Sequence, residues 1–240
     1  MKPLIVNFFI LVLLSLTPSC YIGMPWNGIE GEGPVIERKV DLSRFTGISI
    51  PGSAKVYLTQ GSEQMVRIEG QENIIDNLIL DVSGGVWRIA GKKSVWRSET
   101  LKIYITIEDL SLIKISGSGD VFTQNHFQGK RDLELRISGS GTVNLDIEVD
   151  DVDGSVSGSG DIYLAGSADK LNLGISGSGK IKAEKMKAQN ADLHISGSGN
   201  MNVWVVENLD ATISGSGSVY YTGNPRINTR VSGSGNVRAR

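Results

Sequence analysis

The chain of 240 residues has one cysteine, six prolines and two histidines, and only 6% of its residues are aromatic. A single cysteine, Cys20, excludes an intramolecular disulfide, so packing and hydrogen bonds must hold the domain. The charges nearly cancel, with 24 basic and 26 acidic residues. This balance disfavours a nucleic-acid partner, which requires a basic face. The two histidines, His126 and His194, leave little material for a histidine-dependent active site.

The only long apolar run lies at the N-terminus. Lys2 precedes an apolar segment from Leu4 to Leu16, about 13 residues, which is too short to cross a bilayer core of ~30 Å comfortably. A positive start, an apolar run and a small residue before Cys20 are typical of a secretory signal peptide. We therefore predict a signal peptide over residues 1–19.

The end of this segment, Leu16-Thr17-Pro18-Ser19-Cys20, resembles the lipobox of bacterial lipoproteins, with Thr17 and Pro18 as departures. The resemblance implies lipid attachment at Cys20 and anchoring at the outer membrane. The glycine-rich sequence that follows predicts a tether over residues 20–35. A plain signal peptide with a chance cysteine is the alternative. No acidic stretch follows Cys20, which favours the periplasmic side over the cell surface.

Glycine is abundant, at 30 residues, and it recurs in one motif. Ser-Gly-Ser-Gly occurs seven times, always after Ile or Val, with intervals of 22, 19, 19, 20, 18 and 18 residues. The copies start at Ser116, Ser138, Ser157, Ser176, Ser196, Ser214 and Ser232. Gly can turn tightly with φ above zero and lets successive backbones stack closely. The motif therefore predicts a turn repeated once per structural unit.

The segments beside this SGSG turn alternate apolar and polar residues, which is the pattern of a β-strand. Leu171, Leu173 and Ile175 precede one copy, and Met201 and Val203 follow another. A unit of ~19 residues buries its apolar face only by stacking on the next unit. We therefore predict an all-β solenoid of ~19-residue rungs. Polar turns are expected to close the rungs at residues 150–155, 166–170, 184–190 and 222–226.

The N-terminal half repeats less regularly but is also rich in strand patterns. We expect it to form a strand-rich cap on the solenoid. Strands are predicted at residues 48–50, 55–58, 66–68, 78–82, 86–89 and 101–105. Val82-Ser83-Gly84-Gly85 has the form of a degenerate SGSG turn.

Several short sequence motifs together resemble those of a known family. Arg44-Phe45-Thr46-Gly47-Ile48, Gly52-Ser53-Ala54-Lys55-Val56, Gly70-Gln71-Glu72-Asn73-Ile74-Ile75 and the repeated Ile-Ser-Gly-Ser-Gly are similar to the head GIN domain of auto-transporter adhesins. The resemblance covers residues 36–225 and places the domain at residues 36–240. It implies a solenoid-like fold in secreted or lipid-anchored envelope proteins, and it does not imply a demonstrated biochemical activity.

Stacking in register predicts two outward columns of side chains. Acidic residues of the strands before the turns would form one column, which could hold divalent cations weakly or be a solvated polar ladder: Glu134, Asp153, Asp192 and Asp210. Aromatic residues after the turns could stack on sugar rings or simply pack across rungs: Tyr163, Trp204 and Tyr220.

No sequence motif indicates catalysis. Residues 174–180 match the start of a phosphate loop, but Ile181 stands where Ser or Thr is required and no helix is predicted there. We expect an adhesin-like or scaffolding lipoprotein that is not an enzyme and needs no cofactor. The expected partners are the membrane, through the lipid, and a glycan or protein on the β surface. A glycan-binding accessory protein is the first alternative, and an enzyme of the polysaccharide-lyase type is the second.

Overall fold

A computed structural model of the chain describes residues 28–129 and 132–240. The predicted signal peptide and Cys20 lie outside these residues. Within the described part, no helix is both long and apolar enough to cross a membrane.

The predicted all-β solenoid is confirmed. Its rungs run from the middle of the chain to the C-terminus, and their strands are β10 (Leu112–Ile115), β11 (Asp120–Thr123), β12 (Phe127–Gln128), β13 (Leu133–Gly139), β14 (Thr142–Gly158), β15 (Asp161–Gly177), β16 (Lys180–Gly197), β17 (Asn200–Gly215), β18 (Ser218–Thr222), β19 (Arg226–Gly233) and β20 (Asn236–Ala239). Successive rungs pair in parallel and in register. Inward side chains such as Leu171, Leu173 and Ile175 are buried, and their neighbours along the strand face outward.

The rungs have fewer breaks than the sequence suggests. The polar turns predicted at residues 150–155, 166–170 and 184–190 lie within the continuous strands β14, β15 and β16. Most of their polar side chains are exposed, and the backbone stays paired with the next rung except at the register shift over residues 184–186, so polarity there does not indicate a turn. Only the segment at 222–226 separates two strands, β18 and β19. The 20-residue rung absorbs its extra residues in a register shift between Ala183 and Lys187.

The SGSG turns stack directly on one another. The Ser178 amide donates to the Gly158 carbonyl at 2.9 Å, and the Ser198 amide donates to the Gly177 carbonyl at 2.9 Å. A Cβ atom on Gly177 would lie 2.5 Å from the Gly158 oxygen, and Gly177 has φ +134°. Glycine is therefore required here both for space and for backbone conformation.

In the cap, the rung that comes first in the chain lies between the second rung and the start of the solenoid. Its elements are β1 (Ile29–Glu30), β2 (Val35–Val40), β3 (Gly47–Ile50), β4 (Lys55–Gln60), β5 (Met65–Gln71), α1 (Glu72–Asp76), β6 (Val82–Ser83), β7 (Val86–Arg88), β8 (Val95–Arg97) and β9 (Lys102–Ile107). Strands β3 and β4 pair in parallel with β7 and β9 on one side and with β10 and β11 on the other. Antiparallel strands β5 and β2 then extend the sheet to its edge.

Two details of the cap differ from the predictions. Residues 78–82 form only an isolated bridge at Leu78 and the start of β6, because the helix α1 precedes them and buries Ile74 and Ile75. Val82–Gly85 is not a rung turn but the hairpin between β6 and β7. The true counterpart of the SGSG turn is Pro51–Ala54, since Ser116 and Ser118 donate to Ile50 and Gly52.

Part of the segment predicted as a tether, residues 20–35, contacts the cap. Strand β1 pairs with β8, and the Glu32 amide donates to the Asn73 side chain at 3.0 Å. Residues 29–32 are therefore bound to the cap. Residues 20–27 of the tether lie outside the described part of the chain.

Candidate functional site

The register places Tyr163 and Tyr220 in one outward row of side chains and Trp204 in a neighbouring row. The register places Tyr163 beside Lys182 and Tyr220 beside Asn202, and Trp204 lies two residues beyond Asn202 on the same rung. Trp204 is 37% exposed, and both tyrosines are half-buried. Three rungs, or about 14 Å, separate Tyr163 from Tyr220.

Tyr163 already has polar neighbours. Its hydroxyl donates to Asp161 at 3.2 Å, and the Lys182 ammonium lies 5.3 Å from its ring centroid. Burial, followed by the nearby Asp161 carboxylate, raises the pKa of the Tyr163 hydroxyl. The Tyr163 ring therefore stays neutral, and the lysine occupies one of its faces.

The same row continues into the cap as an aromatic stack that the repeat pattern did not predict. Tyr57 stacks on Tyr104 at 5.0 Å and on Phe122 at 5.7 Å between ring centroids. The Arg67 guanidinium covers the outer face of Tyr104 at 3.9 Å. The faces of Tyr57 and Tyr104 are already covered by these contacts. The stack therefore stabilises the junction between cap and solenoid.

The acidic residues also align in one column, but three of its four carboxylates already bond to other side chains. Arg136 pairs with Asp153 at 3.1 Å and with Glu134 at 3.2 Å. Asn228 donates to Asp210 at 2.8 Å. Asp192 and Asp210 are direct cross-strand neighbours, both exposed. The cation prediction therefore concerns mainly this one pair, and no group of three or more metal-ligating side chains occurs among residues 28–129 and 132–240.

A second polar feature is a cleft in the cap. It has a volume of about 930 Å³ and lies between the first turn, Pro51–Ala54, and an exposed segment, residues 91–100, which we call the strap. Five basic residues and two acidic residues line this basic cleft. They are Lys55, Arg88, Lys92, Lys93 and Arg97, with Glu99 and Asp120.

Buried amides hold the strap in place. Asn77, only 8% exposed, donates to the Lys93 carbonyl and accepts from the Lys93 amide, both at 2.9 Å. Gln71, also 8% exposed, accepts from the Glu99 amide at 3.0 Å. These are the two buried polar side chains of the described residues, and both serve the strap. Asn73 binds the N-terminal arm, donating to the Glu30 carbonyl at 2.7 Å.

Sequence reasoning missed this cleft because its residues share no period. A signal was nevertheless present in the sequence. Gln71, Asn73 and Ile74 belong to the family-like motif Gly70–Ile75 and lie on or beside α1. Two of these side chains bind the cap's irregular segments, and Ile74 lines the cleft. The motif Gly70–Ile75 therefore determines the structure of the cap rather than that of the solenoid.

The chain matches one protein family over most of its length. The family is described as "Putative auto-transporter adhesin, head GIN domain", and the match covers residues 44–225. No curated protein matches the chain.

Several solved structures share the fold. A putative adhesin from Bacteroides fragilis is 26% identical with a TM-score of 0.83, covering 89% of this chain and 100% of its own. A putative lipid binding protein from Parabacteroides distasonis is 29% identical with a TM-score of 0.75, covering 88% and 99%. A putative adhesin from Parabacteroides merdae, 22% identical with a TM-score of 0.70 over 89% and 99%, shares the fold.

Proposed function

Because the chain belongs to the auto-transporter adhesin head GIN domain family, we propose that it is a non-catalytic, adhesin-like module of the cell envelope. One observation carries the proposal. The inward side chains stay apolar in every rung, whereas the residue type in one outward row varies from rung to rung. That row contains Phe122, Asn144, Tyr163, Lys182, Asn202, Tyr220 and Arg238. A regular ladder that presents varied side chains on an extended face is suited to binding a ligand or partner.

We further propose that lipid on Cys20 anchors the protein to the outer membrane. The signal-like segment and the lipobox resemblance support this, and a relative described as a putative lipid binding protein fits a location at a membrane. Two or more acyl chains give a stable anchor, whereas one chain gives a marginal one.

Labelling with radioactive palmitate tests the anchor. We expect label on the wild type and none on Cys20→Ser. Ser19→Ala, which keeps the thiol and a small residue before it, is the matched control and should retain label. An unlabelled wild-type protein would refute the anchor.

Proteinase K digestion of intact cells tests the adhesin-like role, with lysed cells as control and a C-terminal epitope as the readout. Loss of the epitope from intact cells is the result expected of an adhesin. Protection until lysis would place the domain in the periplasm and favour the scaffolding role instead.

A glycan-binding accessory protein is the second candidate, favoured by the outward placement of Tyr163, Trp204 and Tyr220. It predicts glycan-array binding that Tyr163→Ala combined with Trp204→Ala abolishes. A wild-type protein with no array signal would end this candidate. Generation of unsaturated product from an acidic polysaccharide, seen as rising ultraviolet absorbance, would instead support the lyase alternative and contradict the non-catalytic proposal.

A further inference from the structure

We propose that the basic cleft binds an acidic polysaccharide, with Trp96 against a sugar ring and Arg88 and Lys93 against its carboxylate or sulfate groups. The inference rests on the proposed non-catalytic binding function and names the ligand class of one specific site. It concerns a different part of the molecule from the predicted aromatic row.

The charge of the cleft is the first argument. Five cations and two carboxylates line it, an excess of three positive charges in a chain whose formal net charge is −2. A recess lined by charge of one sign concentrates the field and attracts ligands of the opposite sign. The excess is therefore a local property of the cleft and not a consequence of the overall composition.

Most of these cations lack a partner within the protein. Among the described residues, Lys55, Arg88 and Lys93 have no side-chain hydrogen bond or ion pair. Lys92 donates only to the Asp76 carbonyl at 3.1 Å, and Arg97 is 3.9 Å from Glu30. Elsewhere in the cap, Arg38, Arg67 and Lys102 each pair with a carboxylate. The cleft cations therefore remain available to a bound anion.

The strap supplies an aromatic surface beside these cations. Trp96 is 56% exposed, the highest value among the large hydrophobic side chains that the structure describes. The amide groups of Asn77 and Gln71 fix the strap on both sides of Trp96, at Lys93 and Glu99. An exposed indole on a fixed segment loses little entropy when a flat ligand stacks on it.

The two acidic residues favour a saccharide over an anionic membrane. Glu99 and Asp120 lie among the cations and can accept hydrogen bonds from sugar hydroxyls. A dense phosphate surface offers few hydrogen-bond donors to satisfy these carboxylates. The volume of about 930 Å³ is also within the ~300–1,000 Å³ range of ligand pockets, which suits a few sugar rings.

The test uses the protein exported and purified as Cys20→Ser, which carries no acyl chain. Calorimetric titration would compare heparin oligosaccharides, which are sulfated, polygalacturonate oligosaccharides, which are carboxylated, neutral dextran, and vesicles containing phosphatidylglycerol. We expect binding to one or both acidic probes, weakening as salt is raised, and none to dextran.

Variants assign the binding to the cleft. Arg88→Ala with Lys93→Ala, and separately Trp96→Ala, should each weaken binding by about tenfold or more, equivalent to ~1.4 kcal/mol. Lys185→Ala with Lys187→Ala removes the same charge from exposed positions on a distant rung and should change affinity by less than about twofold. All these side chains are exposed, so the melting temperatures should match and folding is controlled.

Three results would overturn the inference: no binding to either acidic probe, equal weakening in the control pair, or binding only to vesicles containing phosphatidylglycerol. The protease experiment on intact cells tests surface display independently of this site. Cleft binding by a protein that is protease-protected in intact cells would retain this site and refute surface display. A surface-exposed protein that binds neither acidic probe would support surface display and refute this site.

Discussion

The first glycine of each SGSG turn lies against the carbonyl group of the equivalent glycine one rung earlier. Gly177 shows the consequence: an added Cβ would be 2.5 Å from the Gly158 oxygen, at φ +134°. We expect Gly177→Ala to lower the free energy of unfolding by about 2 kcal/mol or more, from strain and clash together.

Gly174→Ala is the matched control for this substitution. It lies on the same rung, and the nearest atom to its added Cβ is Ser155 Cβ at 4.0 Å. Urea denaturation should show a change within about 0.5 kcal/mol for Gly174→Ala. Equal losses in the two variants would mean that the turn glycines are not individually required.

The serines of the SGSG turn recur as regularly as its glycines but face solvent. Ser176 and Ser178 are exposed, and backbone hydrogen bonds hold the turn. Serine at these positions is therefore compatible with solvent rather than needed for the ladder.

Asp192 and Asp210 are adjacent carboxylates on consecutive rungs. Like charges directly opposite each other destabilise a strand pair, so Asp192→Asn should stabilise the protein by about 0.5 kcal/mol. An amide can also donate to Asp210, as the Asn228 amide does on the other side.

The same pair tests the cation prediction. If the column binds Ca²⁺, millimolar Ca²⁺ should raise the melting temperature of the wild type and leave that of Asp192→Asn nearly unchanged. An unaltered wild-type melting temperature would remove the cation column and leave the solvated ladder.

The strap depends on contacts made by single elements of the cap. Asn77 forms two hydrogen bonds to Lys93 from the residue that ends α1. In Asn77→Ala these bonds are lost, at about 1 kcal/mol each. We expect trypsin to cleave after Lys92 and Lys93 several times faster than in the wild type, because opening of the strap exposes these bonds more often.

Gln64→Ala provides the comparison for Asn77→Ala. Its side chain bonds to backbone groups of Leu42, Ser43 and Phe45 in the cap and makes no hydrogen bond to the strap. Cleavage at Lys92 and Lys93 should be little changed in this variant. Similar acceleration in both would show that the cap opens as one unit.

Strand pair β5–β9 gives the cap a pH-dependent contribution. The Lys102 ammonium donates to Glu69 at 2.7 Å and lowers the pKa of that carboxyl. A lowered folded-state pKa stabilises the protein above the unfolded pKa, and the stabilisation is lost as pH falls through the folded value. Wild type should therefore melt above Glu69→Gln at neutral pH, with the gap closing below about pH 4.

Thermal melts across that pH range check the Glu69 prediction. Glu63→Gln, which removes an exposed glutamate with no ion pair in the described part of the chain, is the control and should follow the wild type. A constant gap between wild type and Glu69→Gln at all pH values would show that packing, not charge, is responsible.

The difference between rungs and cap explains which elements the sequence could predict. A fixed repeat ties each residue to a known neighbour one rung away, so Asp192 beside Asp210 followed from counting. The cap has no such period: Asn77 reaches 16 residues to Lys93, and Gln71 reaches 28 residues to Glu99. Local pattern does not encode pairings of this kind, and the basic cleft that they create was therefore not predicted.

On the scale of the whole molecule, the two ends of the solenoid are protected differently. Strands β2 and β5 and helix α1 cover the N-terminal end, where Arg38 pairs with Glu72 and Asp76. At the other end, β19 and β20 pair on one side only among the described strands. The inward residues Ile227 and Val231 of β19 are 45% and 44% exposed.

This asymmetry predicts where opening begins. In a stacked repeat, each rung is stabilised by its neighbours, so a rung with one neighbour opens at lower cost than a rung with two. Amide hydrogen exchange should therefore be fastest in β19 and β20 and should slow progressively through β18 and β17 to β15. Protection that is uniform from β15 to β20 and independent of protein concentration would show a single cooperative unit. Protection of β19 and β20 that grows with concentration would instead show that the open edge pairs with a second copy of the chain.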